Sequence, residues 1–394
     1  MATDVSSFKD AYKTQIKSDF PNNIELSLGN KRIQYGAVSI PLRYGTNPHQ
    51  PFAAYSPSKL FINGEEDLKD FQLSVGNIEM LKGGKAGLSL TNLQDMSQAL
   101  NILKYFEKRA CVAMKHINPC GFKVQTKEES LDEIYRDARK CDERSHFGAV
   151  VGFNTQVNAE TAEKIMESFV EGVIAPDYTS AALEILNKNE GTKKLNNSIR
   201  VAKVCNLDKL PKYIGDDIES NLNIRNLADG TLTFEIPYLT RIKSVDDFII
   251  DPMIPNSDPA KNNGKDYIAQ TVPTKQQLED CLTAWYLNIN VRSNGIVFVK
   301  DGMTLAVGTG QQERIGAVEQ AIAKAKQKGH NLEGSVMSSD AFFPSRDCID
   351  AVAEQGVKAV IWPAGSLADS SVIEAANEHN IALIATLERC FLHI

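Results

Sequence analysis

The chain has 394 residues, of which 42% are apolar and 24% are charged, and its net charge at pH 7 is −7. These values are typical of a soluble globular protein with two or three domains and exclude a disordered or fibrous chain. The acidic balance also argues against general nucleic-acid binding, which requires a broad basic surface, so an anionic ligand must meet a local cluster of Arg and Lys.

The sequence carries no sign of export or of disulfide bonding. Its seven cysteines are scattered and form no C-x-x-C pair, which indicates a reducing compartment and neither a disulfide framework nor a zinc ribbon. The first residues lack the apolar core of a signal peptide, and no run of about 18 apolar residues is present to cross a bilayer. We therefore expect a cytoplasmic protein that has no membrane partner.

The first part of the chain is predicted to alternate between helices and strands. Residues 1–36 are predicted to be an N-terminal extension with one short helix near Phe8–Ile16, and residues 37–186 to be a first subdomain. The pattern of that subdomain predicts, in order, a helix over 92–109, a strand from 111, a helix over 130–141, a strand over 145–154, a helix over 159–171, a strand ending at 173–176 and a helix over 181–186. This order favours a mostly parallel sheet with helices packed on it.

The second part of the chain repeats that order after an interruption. Residues 187–267 are predicted to be a connecting region that carries an edge strand over 231–239 and little chemistry, and residues 268–394 a second subdomain. The second subdomain is predicted to contain a strand over 293–300, a helix over 314–328, a strand and loop over 335–343, a helix over 348–354, a strand over 359–363 and a helix over 372–376. We therefore expect an α/β protein with a weak internal duplication.

Adjacent Lys115 and His116 form the most suggestive pair in the chain. They follow an apolar run and precede an Asn118-Pro-Cys-Gly121 turn, which would end the strand at this point. A cation beside an imidazole allows one side chain to stabilise an oxyanion while the other accepts a proton, although a solvated strand end would look the same.

Several common active sites are absent from the sequence. There is no G-x-x-x-x-G-K-[ST] and no G-x-G-x-x-G after a first strand, so a P-loop hydrolase or a dinucleotide fold is not indicated. The six histidines form no H-x-E, and no P-C-x-x-C follows, which argues against a zinc deaminase. The segment Gly308–Arg314 is either a turn or an anion site at a helix start.

Four polar clusters remain as candidate sites. They are Arg43 and Tyr44 with His49; Lys115 and His116 with Asn118; Asn294 with Gln311, Gln312 and Arg314; and residues 340–347 with Arg389, Phe391 and His393. Each also has a structural interpretation: a surface salt bridge for Arg43 and Arg389, a helix cap for Asp347, core packing for Phe342 and Phe343, and a strand-end turn for Asn294.

Six segments in chain order carry a more specific signal. They are Leu42–Gln50 (LRYGTNPHQ), Lys115–Gly121 (KHINPCG), Ser293–Val297 (SNGIV), Gly308–Arg314 (GTGQQER), Ser338–Pro344 (SSDAFFP) and Arg389–His393 (RCFLH). Together they resemble the signatures of the AICAR transformylase family, the phosphoribosylaminoimidazolecarboxamide formyltransferases. That family transfers a formyl group from 10-formyltetrahydrofolate, its co-substrate, to a purine precursor and needs no metal for catalysis.

The resemblance implies roles for individual residues and a quaternary structure. Lys115 and His116 resemble the catalytic pair and Asn294 the active-site Asn; Arg43, Tyr44, Gly148, Asp347, Arg389 and Phe391 resemble the ribonucleotide contacts, with Glu171 at a further substrate position; Phe147, Phe342 and Pro344 resemble the wall of the folate site. The implied fold is two duplicated cytidine-deaminase-like units without the zinc site, plus a connecting region. The implied assembly is a homodimer whose active sites draw on both chains.

The chain departs from the family at several points. Most relatives carry a cyclohydrolase domain of about two hundred residues before the transformylase, which implies that this chain forms the formylated product without closing the ring. Glu171 stands where the family usually has Asp, and Ser345 replaces an aromatic residue of some relatives. The alternatives are formyl transfer to a different aminoimidazole nucleotide and a catalytically silent nucleotide-binding homologue.

The resemblance also implies a mechanism. Neutral His116 would take the proton of the substrate amine, while Lys115 and Asn294 would stabilise the oxyanion that forms on the formyl carbon.

Overall fold

The structure is a computed structural model that describes residues 19–47, 49–67, 77–84, 87–188, 197–218 and 221–393. The predicted helix near Phe8–Ile16 lies outside these residues. The strands are β1 (Asn23–Leu28), β2 (Lys31–Ala37), β3 (Tyr55–Ile62), β4 (Glu65–Asp67), β5 (Glu79–Lys82), β6 (Ala110–Lys115), β7 (Asn118–Val124), β8 (Ala149–Phe153), β9 (Val170–Ala175), β10 (Arg200–Lys203), β11 (Asn223–Asn226), β12 (Leu232–Glu235), β13 (Met253–Ile254), β14 (Tyr267–Ile268), β15 (Ile296–Lys300), β16 (Met303–Gly308), β17 (Val336–Ser339), β18 (Ala359–Trp362) and β19 (Ala382–Ala385). The α-helices are α1 (Leu90–Leu103), α2 (Leu131–Lys140), α3 (Glu143–His146), α4 (Ala159–Met166), α5 (Ser180–Asn187), α6 (Lys275–Asn288), α7 (Arg314–Gln327), α8 (Asp347–Ala353) and α9 (Asp369–Glu378).

The chain divides into two compact units. The first comprises residues 1–109, 114–117 and 147–239, and the second comprises residues 110–113, 118–146 and 240–394. Within the part of the chain described, no helix is both long enough and apolar enough to span a bilayer. The predicted division into 1–36, 37–186, 187–267 and 268–394 stays a prediction.

Parallel strands form the centre of the first unit. β8 pairs in parallel with β9, and β9 with β10, while β5 joins β10 in the antiparallel direction. All residues of β8 are buried, as expected of a strand covered on both faces. A second, antiparallel sheet has the order β1-β2-β3-β4.

Helix α1 packs against β8 and begins at a well-formed cap. The Ser89 hydroxyl accepts the Asn92 backbone N–H at 3.2 Å, and the Asn92 side chain accepts the Ser89 N–H at 3.1 Å. This reciprocal pair satisfies two of the amide groups that a helix start leaves open. It therefore fixes where the first turn of α1 lies.

The second unit contains a mixed sheet in the order β19-β18-β17-β15-β16-β7. The pairs β17–β18 and β18–β19 are parallel, whereas β15 is antiparallel to both β16 and β17. Its apolar core includes Phe298, Met337, Phe343 and Trp362. The α/β class is confirmed, but the expected mostly parallel sheet is wrong because β15 and β16 form a hairpin that reverses the strand direction.

Several predicted elements have different ends. The predicted helix over 159–171 ends at Met166, because residues 170–175 form β9. The predicted strand over 145–154 starts only at Ala149, since Asp142 accepts the Ser145 N–H at 3.0 Å and supports the short helix α3. Strand β6 ends at Lys115 and is followed by a turn of His116 and Ile117, whereas the predicted Asn118–Gly121 turn lies inside β7.

Candidate functional site

The connection between β6 and β7 consists of only two residues, His116 and Ile117. Both have positive backbone angles, with φ 54° at His116 and φ 66° at Ile117. Tight hairpins with positive φ at both central positions strongly prefer Asn and Gly, and a β-branched residue there is an outlier. An exposed imidazole is thereby presented at the tip of a turn that its own sequence disfavours.

The ammonium of Lys115 is held by two carbonyl groups that precede β8. Its Nζ donates to the Gly148 carbonyl at 2.7 Å and to the Phe147 carbonyl at 3.1 Å. Gly148 has φ +74°, and a Cβ added there would lie 3.0 Å from Lys115 Nζ and 3.2 Å from the Phe169 ring. Glycine is therefore needed both for the backbone angle and for the space that the ammonium occupies.

Asp95 of α1 anchors the backbone of the same turn. Its Oδ1 accepts the Ile117 N–H at 2.7 Å, and the residue is 7% exposed. Burial raises the pKa of the Asp95 carboxyl, the Glu171 charge raises it further, and the Ile117 N–H and the charges of His116 and Lys115 act in the opposite direction.

A chain of polar groups, buried except for Glu171, lies next to Asp95 in the first unit. Arg43 donates to Asn92 at 3.2 Å, Asn92 donates to Glu171 at 3.3 Å, and Arg200 lies 3.7 Å from Glu171. Burial, followed by the neighbouring charge of Arg43, lowers the pKa of Arg200 to about 10. Arg200 pairs with Glu171, whereas Arg43 is linked to that carboxylate only through Asn92. Two guanidinium groups and one carboxylate give this network a net positive charge, which favours an anion.

This placement corrects one expectation from the sequence. Arg43 is 6% exposed, so its interpretation as a surface salt bridge is wrong. Its Cζ also lies 4.9 Å from the ring centroid of Tyr44, which is itself buried. Arg200 belongs to the segment that was predicted to carry little chemistry, yet it takes part in this network.

The second unit holds its own polar cluster around Asn294. The Asn294 Nδ2 donates to the Gln311 carbonyl at 2.8 Å and to the Gln312 carbonyl at 3.2 Å, and the Ser293–Asn294 peptide bond is cis. Arg314, at the start of α7, forms a buried ion pair with Asp340. The predicted association of Asn294 with the 311–314 segment is therefore present.

The C-terminal segment is tied to this cluster by hydrogen bonds between its backbone and residues Ser293 and Asp340. The Cys390 N–H donates to the Asp340 carbonyl at 3.1 Å. The Ser293 N–H donates to the Leu392 carbonyl at 3.0 Å, and the Leu392 N–H donates to the Ser293 hydroxyl at 3.1 Å. These bonds fix Arg389 and Phe391, whose guanidinium carbon and ring centroid lie 4.4 Å apart. Such a stacked pair offers an exposed cation beside an aromatic face.

The aromatic residues assigned to the folate wall have mixed surroundings. Phe343 is fully buried, as expected for a core residue, but its neighbour Phe342 is 42% exposed, so the core interpretation of Phe342 is wrong. Phe147 is 55% exposed, and its ring centroid lies 5.2 Å from that of Phe169. Pro344 is also exposed. Exposed rings are available to stack on a planar ligand.

Asp347 lies at the first position of α8, after Arg346 as the N-cap. Its side chain accepts the N–H of Cys348 at 2.8 Å. It therefore stabilises the helix start, and its half-buried carboxylate remains accessible to a ligand.

A family model supplies the comparison that decides the classification. The model described as AICARFT/IMPCHase bienzyme matches residues 1–324. The chain belongs to this family.

Curated relatives of the AICARFT/IMPCHase family agree with this assignment. The bifunctional purine biosynthesis protein PurH of Persephonella marina is 36% identical over 352 residues, which are 89% of this chain and 59% of that protein. PurH of Leptospira biflexa is 33% identical over 388 residues, which are 98% of this chain and 64% of that protein. The chain thus spans about three fifths of the length of these relatives.

One solved structure that is similar to this family member covers only a fragment of it. A dCMP deaminase from the cyanophage S-TIM5 is 21% identical, covers 28% of this chain and 98% of its own, and has a TM-score of 0.22. Among the described residues, no group of three or more His, Cys, Asp and Glu side chains is arranged to hold a metal ion.

Three residues of this AICARFT/IMPCHase member were not singled out from the sequence. Asp95 supports the His116–Ile117 turn, and Asn92 and Arg200 belong to the network of Arg43 and Glu171. Asn92 and Asp95 are polar residues on the buried face of a predicted helix, spaced like its apolar positions Leu93 and Met96. That spacing was a usable signal, because a polar residue on a buried helix face must have a partner. Arg200 had no such signal, since its partners are far away in sequence.

Proposed function

We propose that this chain is an enzyme of purine biosynthesis that transfers a formyl group from 10-formyltetrahydrofolate to the 5-amino group of AICAR, giving formyl-AICAR and tetrahydrofolate. The observation that carries the proposal is the Lys115–His116 pair at the end of β6 in a member of the AICARFT/IMPCHase family. An imidazole on a fixed turn beside a hydrogen-bonded ammonium fits the proton transfer and charge stabilisation that acylation of a weak amine requires.

In the proposed reaction the amine nitrogen attacks the formyl carbon while His116 takes the amine proton. The Lys115 ammonium has three N–H donors, and two of them bond the carbonyls of Phe147 and Gly148. The third N–H stabilises the resulting oxyanion. The bond from the formyl carbon to the folate nitrogen then breaks, and that nitrogen takes a proton from the Lys115 ammonium. The proton held by His116 then restores the ammonium, so both side chains return to their starting states. Each of the two roles contributes a rate factor of about 10²–10⁴.

The contacts of Asn294 favour a different role from the expected oxyanion contact. Its amide group has two hydrogens, and both point to the carbonyls of Gln311 and Gln312. The atom left for a ligand is Oδ1, which only accepts hydrogen bonds. We therefore assign Asn294 to holding an N–H group of the substrate.

The remaining residues are proposed to bind the two substrates. Arg43 and Arg389 supply cations for the nucleotide, together with Tyr44, Gly148, Glu171, Asp347 and Phe391, and Phe147, Phe342 and Pro344 supply apolar surface for the folate. The acidic surface of the chain is thus offset locally by Arg side chains, as anion binding requires.

The duplicated architecture and the homodimer with shared active sites are also proposals. The orders β8-α4-β9-α5-β10 and β17-α8-β18-α9-β19 support duplication, because both are parallel strands linked by helices. Sedimentation velocity of the purified chain tests the dimer, and a monomer at micromolar concentration contradicts it.

The formyl-transfer proposal is tested by measuring tetrahydrofolate release spectroscopically with AICAR and with other aminoimidazole ribonucleotides. We expect release with AICAR, and a loss of about 10²-fold or more in kcat for His116→Ala, with nucleotide binding changed only a few-fold. If tetrahydrofolate is released only with another acceptor, the result favours formyl transfer to a different aminoimidazole nucleotide. Nucleotide binding without any release favours the silent homologue.

A further inference from the structure

We infer that Asp95 is a positioning residue that holds the His116–Ile117 turn in the conformation that presents His116 to the substrate. This inference rests on the proposed function. Asp95 does not touch the reacting atoms in this account and acts through the backbone of the turn.

The turn needs an outside support because its own residues disfavour it. His116 and Ile117 both have left-handed backbone angles, and Ile is β-branched. Strained backbone of this kind persists only where the surroundings fix it, and it is common at functional sites. Asn-Gly would form the same hairpin without strain, but it would place no imidazole there.

Asp95 supplies that support in a well-defined geometry. Its carboxylate accepts the Ile117 N–H at 2.7 Å from a position that is only 7% exposed. Helix α1 fixes the carboxylate, since Asp95 lies one turn after Asn92 in the capped start of the helix. A short hydrogen bond from a backbone amide to a buried carboxylate is among the stronger protein hydrogen bonds.

The charged groups around Asp95 are consistent with this role. His116, Lys115 and Glu171 all interact with its carboxyl. His116 lies in the turn that Asp95 supports and Lys115 immediately precedes it, while the contact that Asp95 makes with the turn is the hydrogen bond from the Ile117 N–H. Asp95 is therefore placed to fix the backbone beside the catalytic pair.

Three variants separate positioning from general stability. Asp95→Ala removes the acceptor of the Ile117 N–H, whereas Asp95→Asn keeps an oxygen at the same place. Asp95→Ala combined with Ile117→Gly removes the acceptor but also lowers the strain, because Gly tolerates φ 66°. Asp280→Ala is the matched control: Asp280 is also a buried helical Asp, and it accepts the Gly302 N–H at 2.7 Å in the β15–β16 turn.

We expect kcat of Asp95→Ala to fall by about 10- to 100-fold, because small misplacements of a catalytic group have effects of this size. Nucleotide affinity should change only a few-fold, Asp95→Asn should retain most of the rate, and the Ile117→Gly double variant should recover part of it. Asp280→Ala should lower the melting temperature without changing kcat. A purely structural role would not produce recovery by glycine at position 117.

The inference is overturned if Asp95→Ala keeps the wild-type kcat, or if Ile117→Gly restores nothing in the Asp95→Ala background. Amide hydrogen exchange gives a readout that does not depend on activity: Ile117 N–H should exchange slowly in wild type and Asp95→Asn and fast in Asp95→Ala. Equal exchange in all three refutes the inference. A wild-type protein that transfers no formyl group refutes the proposed function instead.

Discussion

Gly148→Ala tests whether the position of the Lys115 ammonium controls the rate. The added methyl group would lie 3.0 Å from Lys115 Nζ, which is closer than Cβ atoms normally approach, so Nζ must move by a few tenths of an ångström. This movement weakens the hydrogen bonds of 2.7 and 3.1 Å that fix the ammonium. A hydrogen bond to a charged group contributes about 1.5–3 kcal/mol, and about 1.4 kcal/mol corresponds to a tenfold rate change. We expect kcat for formyl transfer to fall by about tenfold or more.

Gly29→Ala provides the matched control for the backbone cost. Gly29 has φ +59°, and a methyl group added there would have no atom of the described residues within 4 Å, whereas Gly148 has φ +74° and two close neighbours. Both substitutions should lower the free energy of unfolding by about 1–2 kcal/mol through left-handed strain. Only Gly148→Ala should slow the reaction in a steady-state tetrahydrofolate assay. If both variants are equally stable and equally active, the Lys115 contacts do not set the rate.

Three further predictions concern single charges. Lys115→Met should reduce kcat by about 10²-fold or more with nucleotide binding nearly unchanged, and retention of the rate would remove its oxyanion role. Arg314→Met should lower the free energy of unfolding in urea by about 3–5 kcal/mol, because the Asp340 carboxylate is fully buried. Arg346→Met breaks two pairs, with Asp350 and Glu378, whose side chains are all more than a third exposed, so it should change that free energy by at most about 1 kcal/mol for each pair. Burial and then the charge of Lys212 lower the pKa of Lys104 to about 7 from its usual 10.5. Between these two pH values the unfolded chain holds a proton that the folded chain lacks, so the free energy of unfolding rises with pH. The melting temperature of Lys104→Met relative to wild type should therefore fall between pH 7 and pH 10, and a constant difference would contradict the pKa.

Local signals in the sequence were sufficient for many elements. Helix α2 begins after Ser130, whose N–H donates to Glu133 at 3.0 Å, and it ends with Arg139 and Lys140, so its cap and its charges both agree with the prediction. Helix α7 begins at Arg314 as predicted. Such elements are predictable because the interactions that define them lie within a few residues.

Long-range interactions account for what the sequence did not reveal. Arg314 and Asp340 were assigned to different clusters, although they form one buried ion pair. The support of Ile117 by Asp95 joins a helix and a turn, and neither segment alone indicates it. The direction of β15 in its sheet also depends on partners distant in the chain, which is why a parallel order was expected there.

The central claim is tested most directly by mass spectrometry of the nucleotide product. The wild-type chain is incubated with AICAR and with 10-formyltetrahydrofolate that carries an isotopically labelled formyl group, and His116→Ala is treated in parallel. We expect AICAR to gain one labelled formyl group with wild type, and the initial rate of labelling to be lower by about 10²-fold or more with His116→Ala. Unlabelled AICAR after incubation with folded wild-type protein, or equal labelling by both proteins, would contradict formyl transfer by the Lys115–His116 pair.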